Sequence, residues 1–265
     1  MIEKIENKII ISGNVVEILE YEEGYFRGYK QKHYNVDDCD DEEGKAELLK
    51  MLENYDFEIN EDIKKMIEEE KEKSRIESKK RSENRARTNL RRLINHNLGK
   101  YREKDKFVTL TYAENIEDRK QTNNDFMKFI KRLRSKYEKF QYIAVIEKQE
   151  RGSIHYHVVF YGLPYIPKEE LQKIWGFGFV KINKIEKFNN LGRYLIKYLM
   201  KDMKNGREKS QKRYLTSRGL FKPEELYNVV DLWKYIRENN FDIKFVSQFE
   251  NEYTGNGAYV YCQKK

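Results

Sequence analysis

The 265-residue sequence predicts an α+β fold, a mostly antiparallel sheet with helices against it. Three observations carry this. Between residues 107 and 204, β-type and helical-period runs follow one another as strand, helix, strand, strand, helix, strand, helix. Two adjacent β-type runs, QYIAVIEKQ (141–149) and IHYHVVFY (154–161), are joined through an Arg-Gly bend, so they form an antiparallel hairpin. Hydrophobic residues make up 38% of the chain and aromatics 14%, with 20 Tyr and 14 Phe, which is enough apolar material for a core.

Taken in order, residues 8–34 alternate β-formers with polar residues and suggest two or three short strands. From Glu61 to about Leu98 the chain is rich in Glu, Lys and Arg and free of proline, which predicts a helix ended by Gly99. FVTLTY (107–112) alternates like a half-buried strand. Thr122, Asn123 and Asn124 offer caps for a helix whose apolar residues Phe126, Phe129, Ile130 and Leu133 recur at helical spacing. After the hairpin, Pro167 opens a short helix, FGFVKINKI (177–185) reads as a strand, and residues 190–204 as a helix. A helix near 223–239 and a β-rich tail complete the chain. The expected organisation is an accessory segment over 1–70, a basic helical segment over 71–106, a central domain over 107–222 and a C-terminal helix and tail over 223–265.

Net charge is +8, and its placement is uneven. Residues 36–62 hold 12 Asp/Glu against 2 Lys/Arg; residues 71–106 hold 14 Lys/Arg against 5 Asp/Glu; residues 193–222 hold 10 against 2. Separated basic blocks suit a polyanion partner, and Arg91, Arg92, Arg151, Arg193, Lys212, Arg213 and Arg218 are the candidate phosphate contacts. The acidic block suits a tether, a partner site or an internal mimic of nucleic acid. No apolar run reaches the ~20 residues of a membrane span. The N-terminal MIEKIENKII has no export-signal core, and Cys39 and Cys262 lie far apart with no metal spacing, so a reduced cytoplasmic setting is expected.

Two stretches carry chemistry. On a strand, His155 and His157 project from one face while Ile154, Tyr156 and Val158 project from the other. Two neutral imidazoles are half of a divalent-metal shell. A hairpin loop with an odd number of residues sets Glu147 on their face as third ligand, with Gln149 as the fallback. The bland alternative is two histidines on an ordinary amphipathic strand. In YLIKYLMK (194–201), Tyr194, Lys197, Tyr198 and Lys201 fall at i, i+3, i+4 and i+7, while Leu195, Ile196, Leu199, Met200 and Met203 form the opposite, packing face. A phenol is a poor nucleophile at its ordinary pKa of ~10, but a nearby cation and a metal-held phosphate permit its attack on a phosphodiester. Because the phosphoester survives in the covalent intermediate, rejoining needs no ATP. A second tyrosine on the same face allows two successive strand transfers.

These residues resemble those of the HUH endonucleases, in particular the two-tyrosine rolling-circle replication initiators of phages and plasmids. HYH is similar to their metal signature, EKQERGSIHYH to that motif with its preceding Glu, FVTLTYAEN (107–115) to their first motif, the overlapping Tyr-x-x-Lys units to their two-tyrosine motif, and KRYLTSRGL (212–220) to a segment downstream of it. The resemblance covers roughly residues 85–222. It implies a five-stranded antiparallel sheet with the histidines on a central strand. It implies a nickase of single-stranded or hairpin origin DNA that holds the 5′-phosphate and leaves a 3′-OH primer. Carried over by position, His155, His157 and Glu147 hold a divalent ion, Mn²⁺ or Mg²⁺ with Zn²⁺ also accepted. Tyr194 and Tyr198 are the nucleophiles, and Lys197 and Lys201 assist. The chain has no phosphate-binding G-x-x-x-x-G-K-[ST] run, so unwinding falls to a host helicase. Two alternatives stay open: a transposase- or relaxase-type strand transferase, and a non-catalytic DNA- or RNA-binding protein on the same fold.

Overall fold

The computed structural model describes residues 3–27, 61–101, 105–137, 139–149, 152–183, 185, 190–204, 212, 214–251 and 254–264. Two compact units divide the chain: residues 1–5 with 25–84, and residues 6–24 with 85–265. In the first, the described helix turns are solvent-exposed and carry short-range ion pairs, Arg75 to Glu72 and Arg81 to Glu77. Most of the acidic block, and with it Cys39, lies outside the described residues, as does any third strand over 28–34.

The second unit holds the candidate site. Its strands are β1 (Glu3–Ser12), β2 (Val15–Arg27), β3 (Lys106–Tyr112), β4 (Gln141–Lys148), β5 (Ile154–Tyr161), β6 (Gly178–Asn183), β7 (Tyr214–Thr216), β8 (Glu224–Tyr227), β9 (Phe241–Asn251) and β10 (Gly255–Lys264). The helices are α1 (Glu61–Asn97), α2 (Arg119–Lys136), α3 (Lys168–Trp175), α4 (Leu191–Lys204) and α5 (Leu232–Glu238). The ends of α1, β1 and β2 reach into the first unit.

The fold is α+β with two five-stranded sheets, ordered β6-β3-β5-β4-β7 and β8-β1-β2-β10-β9, whose recorded pairings are all antiparallel. In the first sheet β5 is the central strand, and every one of its residues is buried, as a strand covered on both faces requires. One face packs Val108, Leu110, Tyr156, Val158 and Phe160 against Phe126, Phe129 and Leu133 of α2 and Leu171 and Trp175 of α3. The other packs Phe107, Ile143, Val145, Val159 and Tyr161 against Leu90 and Ile94 of α1 and Leu191, Leu195 and Leu199 of α4. Each fully buried aliphatic side chain contributes roughly 1.5–3 kcal/mol of transfer free energy.

The second sheet brings strands from both ends of the chain together. Its α5-facing side buries Ile9, Val16, Ile18, Ile236, Val260 and Cys262. The β1–β2 turn needs Gly13, which has φ +66°, and a Cβ there would lie 2.3 Å from the carbonyl oxygen of Asn95.

Two expected elements differ. Helix α2 starts at Arg119, not after Thr122–Asn124, because the Asp118 carboxylate already accepts from the backbone N–H groups of Lys120 and Gln121. Asn123 instead accepts from the Tyr156 hydroxyl at 3.0 Å, tying the helix to the central strand. The helix expected near 223–239 is a strand and a shorter helix: β8 pairs with β1, with Glu225 opposite Ile10, and α5 begins only after its Asp231 cap. Sheet pairing over more than 200 residues overrides the helical preference of Glu224 and Glu225.

Candidate active site

The polar residues of β3, β4 and β5 that face α4 make a patch in an otherwise apolar surface. In the ladder Glu147 stands opposite His155 and Val145 opposite His157, while Thr111 and Thr109 flank the same histidines from β3. The hairpin loop is therefore odd in length, and Glu147 shares the imidazole face. Gly152 makes this loop possible: it has φ +93°, and a Cβ there would fall 2.3 Å from the carboxyl carbon of Glu117. Gln149 N–H to Ser153 C=O and Gly152 N–H to Gln149 C=O, both 2.9 Å, close the turn.

Glu147, His155 and His157 are buried. The Glu147 Oε2 and His157 Nε2 atoms are 2.7 Å apart, so this nitrogen carries the proton that the carboxylate accepts. On the far side of the ring, His157 Nδ1 lies 3.4 Å from Thr109 Oγ1, and His155 Nδ1 lies 3.2 Å from Gln149 Nε2. Thr109 was not among the expected site residues. Its signal was the placement of threonine on one face of FVTLTY, the face it shares with the histidines.

Helix α4 covers this patch. Its first turn is fastened by two asparagines. Asn190 Oδ1 accepts from the backbone N–H of Arg193, as an N-cap does. Asn95 Oδ1 accepts from Gly192 N–H at 3.0 Å, and Asn95 Nδ2 donates to Asn190 Oδ1 at 3.1 Å. Asn190 Nδ2 in turn donates to the Tyr261 hydroxyl of the second sheet. Both asparagines escaped the sequence reading, since nothing local marks contacts 95 residues apart.

The tyrosines do not stand on a solvated face opposite the aliphatics. Tyr194 and Tyr198 are half-buried and flank the Leu191–Leu195–Leu199 stripe, leaning onto the sheet, whereas Lys197 is exposed. The Tyr198 ring stacks on the His157 imidazole, centroids 3.5 Å apart and planes at 17°. Tyr194 meets Phe107 edge-on at 5.9 Å, and the two phenol oxygens are 2.6 Å apart. Burial raises the Tyr198 pKa well above its ordinary value, with the hydrogen bond to Tyr194 and the Glu147 carboxylate adding to it. Lys197 Nζ sits over the Tyr194 ring at 5.6 Å. The Lys201 side chain lies outside the described residues.

The candidate phosphate contacts separate. Arg193 and Arg218 are exposed, and Lys212 is exposed with its carbonyl accepting from Arg119. Arg91 and Arg92 are held by the buried carboxylate of Glu17, at 2.6 and 2.7 Å, which also accepts from Tyr259. Arg151 and Arg213 lie outside the described residues.

As donors, two imidazoles and a carboxylate suit Mn²⁺, Fe²⁺ or Zn²⁺ better than a purely oxygen-preferring ion. The three share a face, but among the described residues no three His, Cys, Asp or Glu side chains stand ready as a closed metal cage, and the Glu147–His157 hydrogen bond engages two of the donor atoms. In chemistry the set fits a divalent ion, provided the proton on His157 Nε2 moves.

Among known proteins, neither the curated proteins nor the solved structures give a match to the chain. One family model does match, that of the ORF2-type replication-associated proteins, over residues 105–203. That span runs from β3 to the end of α4, so the hairpin histidines, Glu147 and both tyrosines lie in the part of the chain that is similar to replication-associated proteins.

Proposed function

We propose that the protein initiates replication by nicking single-stranded origin DNA, with a tyrosine of α4 as nucleophile. The observation that carries this reading is the stack of Tyr198 on His157, which brings a phenol and an imidazole–carboxylate pair to one surface. His155, His157 and Glu147 would hold a divalent ion. Bound there, the ion supplies a Lewis acid for a non-bridging phosphate oxygen and orients the scissile group.

The chain's own residues account for the rest. The phenol oxygen attacks phosphorus, a Tyr–O–P bond forms, and the bond from phosphorus to the 3′-oxygen breaks. The proton lost by the phenol balances the one gained by the 3′-hydroxyl. The products are a 5′-phosphotyrosine and a 3′-OH primer, and attack by a 3′-hydroxyl on the phosphotyrosine reverses the step. Tyr194, hydrogen-bonded to Tyr198, is placed to accept and pass on that proton, and as a second nucleophile to take a second strand. Freeing His157 Nε2 for an ion moves its proton to Nδ1, where Thr109 Oγ1 accepts it and fixes the ring orientation. Lys197 and Arg193, exposed on α4, supply positive charge for the DNA backbone, and Lys201 would add to it. A host helicase would open the duplex.

The test is a labelled single-stranded origin oligonucleotide incubated with the protein and Mn²⁺, then run on a denaturing gel. A covalent adduct is expected, lost with EDTA and lost in the double variant Tyr194→Phe, Tyr198→Phe. An adduct surviving in that variant would exclude these tyrosines. DNA binding without any adduct would favour a non-catalytic binding protein.

A further inference from the structure

We propose that the free edge of β9 is a self-association surface, through which two copies of the chain pair their terminal sheets antiparallel about Ser247. The sheet order ends at β9, so among the described residues no further strand pairs with it. The other end of the same sheet is blunted in the usual way: β8 has only four residues and carries Glu224 and Glu225. In contrast, β9 has eleven residues. Three of its large apolar side chains are exposed within four positions, Ile243 at 41%, Phe245 at 56% and Val246 at 53%. They point to both faces of the strand, which is the pattern of an edge open to pairing rather than of a face awaiting a lid.

The bulge in the β9–β10 ladder lies between Tyr261 and Cys262, opposite the start of β9. From Phe245 to Asn251 the register is unbroken, so the part of β9 offered to a partner is a regular strand.

A second copy is the occupant because the strand is complementary to itself. A two-fold axis at Ser247 sets Phe245 opposite Phe249 and Lys244 opposite Glu250, and each pair occurs twice. Shifting the axis to Val246 sets Asp242 against Glu250, two like charges, and loses both aromatic pairs. Lys244 has an exposed ion pair with Asp242 at 3.5 Å, a weak contact that it can exchange for Glu250 of the other copy. The result is a continuous ten-stranded sheet with a small interface, so the dimer is weak and concentration-dependent, in the range of about 1–100 µM.

Sedimentation velocity of the full chain across that range tests this. A monomer–dimer equilibrium is expected. Lys244→Glu alone and Glu250→Lys alone should each weaken it about tenfold, since each turns two attractive pairs into repulsive ones. The double variant Lys244→Glu, Glu250→Lys should restore wild-type association. Both positions are exposed, and an unchanged thermal melt establishes that the variants fold. A protein that stays monomeric up to about 100 µM overturns the proposal. So does a dimer indifferent to both single charge reversals, or one that the double reversal fails to restore; either result assigns association to another surface.

Discussion

The imidazole of His157 lies flat against the phenol of Tyr198, 3.5 Å between centroids, and the same imidazole is hydrogen-bonded to Glu147 on its edge. One ring thus touches both the proposed nucleophile and the proposed metal ligand. The two contributions of Tyr198 separate by substitution. Tyr198→Phe keeps the stack and removes the hydroxyl, so its melting temperature should stay near wild type while covalent adduct formation falls, on the order of a hundredfold or more if Tyr194 does not substitute for it. Tyr198→Ala removes both, and for a half-buried ring the added cost is about 2 kcal/mol. Thermal melts beside the gel assay read the two effects. A Phe variant with full activity would place the chemistry elsewhere.

Glu147 separates metal binding from folding. Glu147→Gln preserves shape and a partner for His157 but removes the charge. Mn²⁺ affinity, measured by calorimetry without DNA, should fall at least about tenfold. Equal Mn²⁺ affinity in the variant would remove Glu147 from the ligand set. Gln149, 3.2 Å from His155, would then be the residue to vary.

Much of this site could be read from periodicity. Residues 154–161 alternate across a strand, so the shared face of His155 and His157 followed from the two-residue period alone, and the parity of the hairpin loop brought Glu147 to them. The central sheet was equally legible, because its strands and helices are sequence neighbours. The position of the tyrosines was harder. A helical wheel sets Tyr194 and Tyr198 at the border between leucines and lysines, and only the polar patch of Thr109, Thr111 and the histidines, which leaves room beside the apolar surface, draws them onto the sheet. The second sheet was not legible as a unit. Its strands come from opposite ends of the chain, and their register, Val16 with Cys262 for example, rests on contacts about 246 residues apart that no local pattern encodes.

Arg91 and Arg92 provide a test of burial against charge pattern. They sit in a basic run but grip a carboxylate whose side chain is only 1% exposed. Burial alone would raise the Glu17 pKa; the Arg92 hydrogen bond and the charges of both arginines outweigh it and hold the group below the usual range. Its stabilising contribution is therefore complete above the unfolded value of ~4.3 and is lost as pH falls through the lower folded value. Glu17→Gln should cost about 3 kcal/mol at neutral pH and flatten the acid limb of the stability curve. Arg91→Ala should likewise lower stability more than it changes the salt dependence of DNA binding. A phosphate-contacting arginine would do the reverse, lowering the log–log salt slope by about 0.7–0.9.

His96 gives a second pH signature of opposite chemistry. It is buried at the end of α1, and Lys100 Nζ donates to its Nε2 at 2.7 Å. Burial first, and the lysine charge second, lower its pKa. The folded state binds the proton less well than the unfolded chain. Stability should then decline as pH falls below ~6.5 and level off once the folded value is passed. Urea titrations between pH 7.5 and 5 should show this slope in the wild type and a reduced one in His96→Gln. An unchanged slope would assign the titration to another group.

Asn95 tests whether the terminal sheet helps to aim the tyrosine helix. Its amide bridges Gly192 N–H and Asn190 Oδ1, while Asn190 reaches Tyr261 on β10. Asn95→Ala strips the buried Gly192 N–H of its acceptor, a loss of about 1–3 kcal/mol. It also frees the first turn of α4, just ahead of Tyr194 and Tyr198. If the network only supports folding, stabilising the variant with an osmolyte should restore adduct formation in full. If it orients the helix, the adduct rate should stay depressed when the fold is saturated, and Asn190→Ala should show the same defect without an additive effect in the double variant. Additive losses would mean that the two asparagines act independently, and that the helix is aimed by its leucine stripe alone.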